Sequence, residues 1–159
     1  MNSGAYVARL WEFPRLCLAF FGVQYLTPEG KQLYETSGIN DQVFSALTPD
    51  TEGLLLNRLM MTEDGPVLMQ YWRSYEELDR FARSLPHTDW WKWLVANSGQ
   101  GVGFYHEIYQ AATAEAIYES GTRPVGPAVF CAVDSVPSGN GQSRRRQERF
   151  AEAKATEEG

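Results

Sequence analysis

Residues 16–25, Leu-Cys-Leu-Ala-Phe-Phe-Gly-Val-Gln-Tyr, are nearly continuous in apolar and aromatic character, the pattern of a buried strand. Thr27-Pro28-Glu29 follows with an N-cap, a first-turn proline and an acid, which together start a helix. Leu33, Tyr34, Val43, Phe44 and Leu47 do not keep one helical register across Ser37-Gly38, so an interruption is expected there and an end at Thr48-Pro49-Asp50. Two strand-like runs, 52–61 and 66–73, flank Thr62-Glu63-Asp64-Gly65, whose Asp-Gly pair favours a hairpin. Ser74 and Glu77 form a capping box, and Tyr75, Leu78, Phe81, Ala82 and Leu85 follow at roughly helical spacing up to Pro86. A second short helix opens at Thr88 or Asp89, with Trp90, Trp93, Leu94 and Asn97 on one stripe and Trp91 and Val95 on the next. From Val102 to Tyr109 the residues alternate: Val102, Phe104, His106 and Ile108 point one way, Tyr105, Glu107 and Tyr109 the other.

The resulting order, strand, helix, strand, strand, helix, strand, is that of an α+β, ferredoxin-like split βαβ domain with a four-stranded antiparallel sheet. Its strands are too apolar on both sides for a free sheet face, so two copies are expected to pair those faces as a homodimer, a dimeric α+β barrel. Residues 1–136 are read as this barrel domain with a C-terminal arm. Within the arm, 114–120 suits a short helix or a closing strand, and 122–136 an extended segment. Residues 137–159 are read as a linker, Pro137 to Ser143, and a mixed-charge tail that forms a weak solvated helix or stays disordered.

Composition narrows the partners. A chain of 159 residues with net charge −6 lacks the cationic surplus that nucleic-acid binding needs, leaving small molecules and protein. Cys17 and Cys131 have no zinc-type spacing and fit a reduced, cytoplasmic setting; the apolar run 16–23 is too short to span a membrane, and no metal is expected.

Three segments carry a family resemblance. Val67 to Leu78 reads Val-Leu-Met-Gln-Tyr-Trp-Arg-Ser-Tyr-Glu-Glu-Leu, Leu85-Pro86-His87 precedes the clustered tryptophans, and Val102 to Tyr109 reads Val-Gly-Phe-Tyr-His-Glu-Ile-Tyr. In this order they resemble a monooxygenase-like family of the dimeric α+β barrel superfamily that includes fungal polyketide-pathway monooxygenases and many actinobacterial proteins. The resemblance covers about 16–129. It departs from the family pattern in a shorter insertion around His87 and in Phe104-Tyr105, where tryptophan is commoner. It implies a pocket in each barrel half, roofed by the helices and used for cofactor-independent oxygenation of activated aromatics and polyketides or, in relatives, for haem.

Three tryptophans, Trp90, Trp91 and Trp93, fall within four residues, and rings at that density wall in either a core or a pocket. His106, with apolar Phe104 and Ile108 as face mates, is the expected catalytic base; the alternative is a core histidine bonded to the backbone. Glu107 points the other way and is expected to pair with Arg73 or Arg58. Asn97 either holds a substrate oxygen or caps its helix, and Arg73 either steadies developing negative charge or pairs with an acid at the barrel mouth. Tyr71, Trp90, Trp93 and Phe104 are the expected substrate walls, with Tyr71 and Arg73 on one face of their strand and Gln70 and Trp72 on the other. His87 caps its helix, meets a metal ion or contacts substrate.

Three functions fit these residues. The first is an oxygenase-like enzyme acting without metal or cofactor on an electron-rich aromatic or polyketide. The second is a haem protein with His106 or His87 as axial ligand, since one imidazole among aromatic walls suffices. The third is a non-catalytic dimer that binds a small aromatic molecule.

Overall fold

A computed structural model describes residues 4–137 and 142–159 and divides into two compact units: residues 17–109, and residues 1–16 with 110–159. Most of the expected linker lies outside the described residues.

The first unit has the anticipated ferredoxin-like plan. Strand β2 (Cys17–Tyr25) leads into α1 (Pro28–Thr36) and α2 (Ile39–Ala46); β3 (Leu54–Thr62) and β4 (Gly65–Trp72) form the hairpin; α3 (Tyr75–Ala82) and α4 (His87–Ala96) precede β5 (Val102–Gln110). The sheet order is β3-β4-β2-β5, and β2–β4 and β3–β4 run antiparallel. The helix starts are those the caps dictate: the Thr27 side chain accepts from the Gly30 amide at 3.0 Å, and the Ser74 hydroxyl accepts from the Glu77 amide while donating to its carboxylate at 3.0 Å. Gly38, at φ 73°, separates α1 from α2 in the left-handed region that a side chain disfavours. Helix α4 begins at His87, one or two residues earlier than the N-cap signal suggested.

Register fixes the faces. Phe21 opposes Leu68, Ala19 opposes Gln70 and Cys17 opposes Trp72, and these residues share the face that α1 to α4 cover, where Tyr34, Ile39, Val43, Leu78 and Trp90 complete the core. Leu18, Tyr71 and Met69 belong to the opposite face. On β5, His106 meets Phe21 and Phe104 meets Trp91 on the helix side, whereas Tyr105 lies over Gly22 and Tyr109 meets Phe20 on the other. The alternation expected along this strand is therefore realised.

The second unit differs from expectation. Strand β1 (Gly4–Ala8) is the centre of a three-stranded sheet of order β6-β1-β7, with β6 (Ile117–Glu119) and β7 (Val133–Pro137) antiparallel to it. The segment 114–120 thus ends in a short strand, and the extended arm finishes in another. The tail is a sixteen-residue helix, α5 (Ser143–Glu158), and it is not merely solvated: Phe150 is fully buried, Arg146 pairs with Glu115 at 2.9 Å, Lys154 donates to the Ala111 carbonyl at 3.1 Å, and the Arg149 guanidinium stacks on Trp11 at 3.9 Å. One buried ring and three anchored cations hold a helix whose mixed-charge sequence carries little apolar periodicity.

Candidate functional site

The three clustered tryptophans take three separate tasks. Trp91 meets Phe104 edge-on at 5.3 Å, Trp93 meets Tyr34 at 6.1 Å, and Trp90, 5% exposed, meets His87 at 5.9 Å and Phe81 at 6.3 Å. Trp90 alone of the three reaches a hollow between the sheet and helices α2 to α4. This hollow holds about 40 Å³ and is walled almost wholly by carbon: Phe21 and Leu68 from the sheet, Val43 from α2, Phe81 from α3 and Leu94 from α4, with Gln70, His87 and Trp90 as its polar members. A volume of that size takes dioxygen or one water, whose share of liquid is about 30 Å³.

Three buried polar side-chain atoms have no hydrogen-bond partner among the described residues: His87 Nδ1, Trp90 Nε1 and Asn57 Oδ1. Two line the hollow, and Asn57 opposes Gln70, which lines it too. Each such atom costs about 1–3 kcal/mol in a closed, empty protein, so their concentration on one side of one sheet marks a place built to receive polar atoms. The Trp72 indole, by contrast, is satisfied, donating to Gln70 Oε1 at 3.0 Å.

Burial lowers the His87 pKa, His106 adds to that lowering, and the Ala82 backbone draws it partly back. Its position as the first residue of α4, at the positive end of the helix, acts in the same direction as burial. Nδ1 is the buried ring nitrogen of His87 without a hydrogen-bond partner among the described residues. His106 also has a lowered pKa from burial on its inner side, but it remains an exposed residue on an edge strand, separated from the hollow by Phe21. Both rings are neutral near pH 7.

A pH dependence follows with a definite sign. In the unfolded chain both imidazoles titrate near about 6.5, and in the folded chain lower. Between those values the unfolded state binds more protons, so their contribution is fully present above about pH 6.5 and is lost as pH falls toward the lowered values. The urea midpoint should therefore drop between about pH 7 and 5, a window above the titration of the carboxylates. A midpoint that rises on acidification would contradict the burial of His87.

The remaining expected residues lie elsewhere. The Asn97 amide is spent on capping α4, donating to the Trp93 carbonyl at 2.8 Å and accepting from Gln100 at 3.3 Å; the capping alternative is the one realised. Tyr71 sits on the sheet face away from the hollow and cannot wall it with Trp90. Arg73 is exposed, one residue past β4, its amide bonded to the Gly53 carbonyl at 2.8 Å. Glu107 accepts from the Tyr109 hydroxyl at 2.9 Å. Asn57 and Phe81 were not singled out from the sequence, although a lone amide within Leu54-Leu55-Leu56-Asn57-Arg58-Leu59 is a visible anomaly in a strand.

Neither thiol is activated. Burial pushes the Cys17 thiol up to about 11 and the Cys131 thiol up to about 12, which keeps both protonated. Among the described residues no three His, Cys, Asp or Glu side chains converge on a metal position. No helix there is long and apolar enough to cross a membrane. A larger groove of about 650 Å³ runs along α5 in the second unit, past Trp11, Asp134, Arg145 and Arg149, but cations and carboxylates alternate along it and it contains no orphaned polar atom.

The sheet topology and the helical roof define an α+β domain of the ferredoxin-like kind. The chain belongs to the Monooxygenase af470-like family, which it matches over residues 22–126. No curated protein matches it. Among solved structures, an aldoxime dehydratase in complex with butyraldoxime is similar over 96% of this chain and 44% of that one (21% identity, TM-score 0.67), and a second aldoxime dehydratase over 94% and 44% (22%, 0.59). A conserved protein from Methanosarcina mazei Go1 aligns over 64% and 98% (14%, 0.46). The chain spans less than half the length of the two dehydratases, and likenesses this remote in sequence are likenesses of fold.

Proposed function

We propose that this chain is a small-molecule monooxygenase-like enzyme that oxidises an enolic or phenolic ring without metal, acting as a homodimer. The observation that carries the reading is the pair of orphaned atoms His87 Nδ1 and Trp90 Nε1 at the wall of one hollow. A substrate hydroxyl inserted between the two rings would donate its proton to the imidazole and accept from the indole. Membership of a monooxygenase-like family supports the same chemistry.

In this mechanism His87 takes the hydroxyl proton, and the indole N–H steadies the resulting oxyanion. The electron-rich ring carbon reduces dioxygen, which the apolar hollow accommodates; a C–O bond forms, and the imidazolium returns its proton to the peroxide. Loss of water then leaves a carbonyl, so that CH₂ and O₂ become C=O and H₂O. The proton-transfer role expected of His106 passes to His87, which is deeper, lines the hollow and carries the free nitrogen; His106, across Phe21, stands at the rim. Because the hollow is smaller than the several hundred Å³ typical of ligand sites, substrate entry requires α2 and α4 to part from the sheet. The orphaned atoms favour that opening, since the closed form leaves them unsatisfied.

Haem has less support, since no Arg or Lys lines the hollow to meet propionates, and it would need a wider opening than a single ring does. Two measurements test the proposal together. Dioxygen uptake with an anthrone-like or phenolic substrate is expected in chelator-treated protein, and protein supplied with haem should show no Soret band that depends on His87 or His106. A histidine-dependent Soret band, with uptake only in the haem-loaded form, would replace this reading by the haem one.

A further inference from the structure

Asn57 has no task in the chemistry above, yet its carbonyl oxygen is buried without a partner in the middle of β3. It opposes Gln70 across the β3–β4 ladder, on the helix-covered face. Side chains so paired lie about 5 Å apart at Cβ, so a guest that touches Gln70 is within reach of Asn57. The neighbouring donor is already committed, because the Trp72 indole hydrogen goes to Gln70 Oε1. The sheet floor therefore offers an acceptor, Asn57 Oδ1, beside Gln70, which lines the same hollow as His87 and Trp90. An amide in a run of leucines weakens the strand, and leaving its oxygen unsatisfied costs stability that an apolar residue of similar shape would not.

We infer that Asn57 is a specificity-determining residue that accepts a hydrogen bond from a second hydroxyl of the substrate, so that the site selects dihydroxylated rings over monohydroxylated ones. The inference rests on the proposed site between His87 and Trp90 and adds a second point of recognition to it. One hydroxyl binds at the helical wall and the other at the sheet floor, holding the ring at two positions. A ring with a single hydroxyl leaves Asn57 Oδ1 buried and bare, and a methyl ether in the second position offers no proton to it.

Isothermal titration calorimetry of the full chain with phenol, catechol, resorcinol and hydroquinone tests this directly. At least one of the three diols should bind about three- to tenfold more tightly than phenol, the range one net hydrogen bond supplies. In Asn57→Leu that ratio should fall to near one, and Asn57→Ala serves in its place if the leucine variant does not fold. A preference that survives in the variant, or none in the natural chain, overturns the inference. Phenol binding that is weakened by Trp90→Phe, without any diol preference, sinks the role of Asn57 alone. Failure of every one of these rings to bind removes both the inference and the site beneath it.

Discussion

Replacing His87 by alanine is expected to lower kcat/KM for an enolic or phenolic substrate by about 10²- to 10⁴-fold, the range that a positioned general base supplies. The change removes the only imidazole that lines the hollow and leaves the indole donor to meet a hydroxyl that keeps its proton. His106→Ala should cost less than about tenfold, because that ring sits at the rim beyond Phe21 and acts only on the local environment. Oxygen consumption measured on both variants, with far-ultraviolet circular dichroism to confirm folding, separates the two histidines. Loss of activity in His106→Ala with His87→Ala unaffected would return the base to the edge strand. The acid limb of the kcat/KM profile should lie below about pH 6.5, since burial lowers the His87 pKa, and it should disappear in His87→Ala.

The second large effect concerns stability. Phe150→Ala should destabilise the unit that contains it by about 3–5 kcal/mol, the cost of emptying a fully buried ring site. Urea unfolding followed by the Trp11 indole proton signal, which Trp11→Phe assigns, reports it locally, because Trp11 stacks beneath Arg149 of the same helix as Phe150. A change under about 1 kcal/mol would restore the tail to the status of a solvated appendage.

These two residues illustrate what the sequence exposes and what it hides. The split βαβ order was legible because each of its elements announces itself locally: the apolar run ending at Tyr25, the Asp64-Gly65 turn, the Ser74–Glu77 box and the alternation from Val102. Helix α5 was not, because its burial depends on a single phenylalanine and on Trp11, more than a hundred residues away, and no local period records such a contact. Strand β1 escaped for a similar reason: its partners, β6 and β7, lie at the other end of the chain.

The site shows the same division. Alternation placed His106 on one face and Tyr105 on the other, as the structure has them, but two equally apolar faces gave no means of knowing which one the helices cover. Pattern alone does not separate Tyr71 from Trp90, although Gln70 and Trp72 occupy that side of β4. The position of β5 at the sheet edge, which exposes His106, is a property of strand order rather than of sequence pattern. His87 gains its setting from the packing of α3 against α4, where Phe81 and Trp90 enclose the ring.

In the proposed mechanism a substrate hydroxyl inserts between His87 Nδ1 and Trp90 Nε1. The chain has five tryptophans, so a nitrogen–proton correlation spectrum carries five indole signals, and Trp90→Phe identifies the one that matters. On addition of a phenolic ligand the Trp90 indole proton should move downfield as it gains an acceptor, with the other four shifted less. Ligand binding that leaves the Trp90 signal in place would contradict the account.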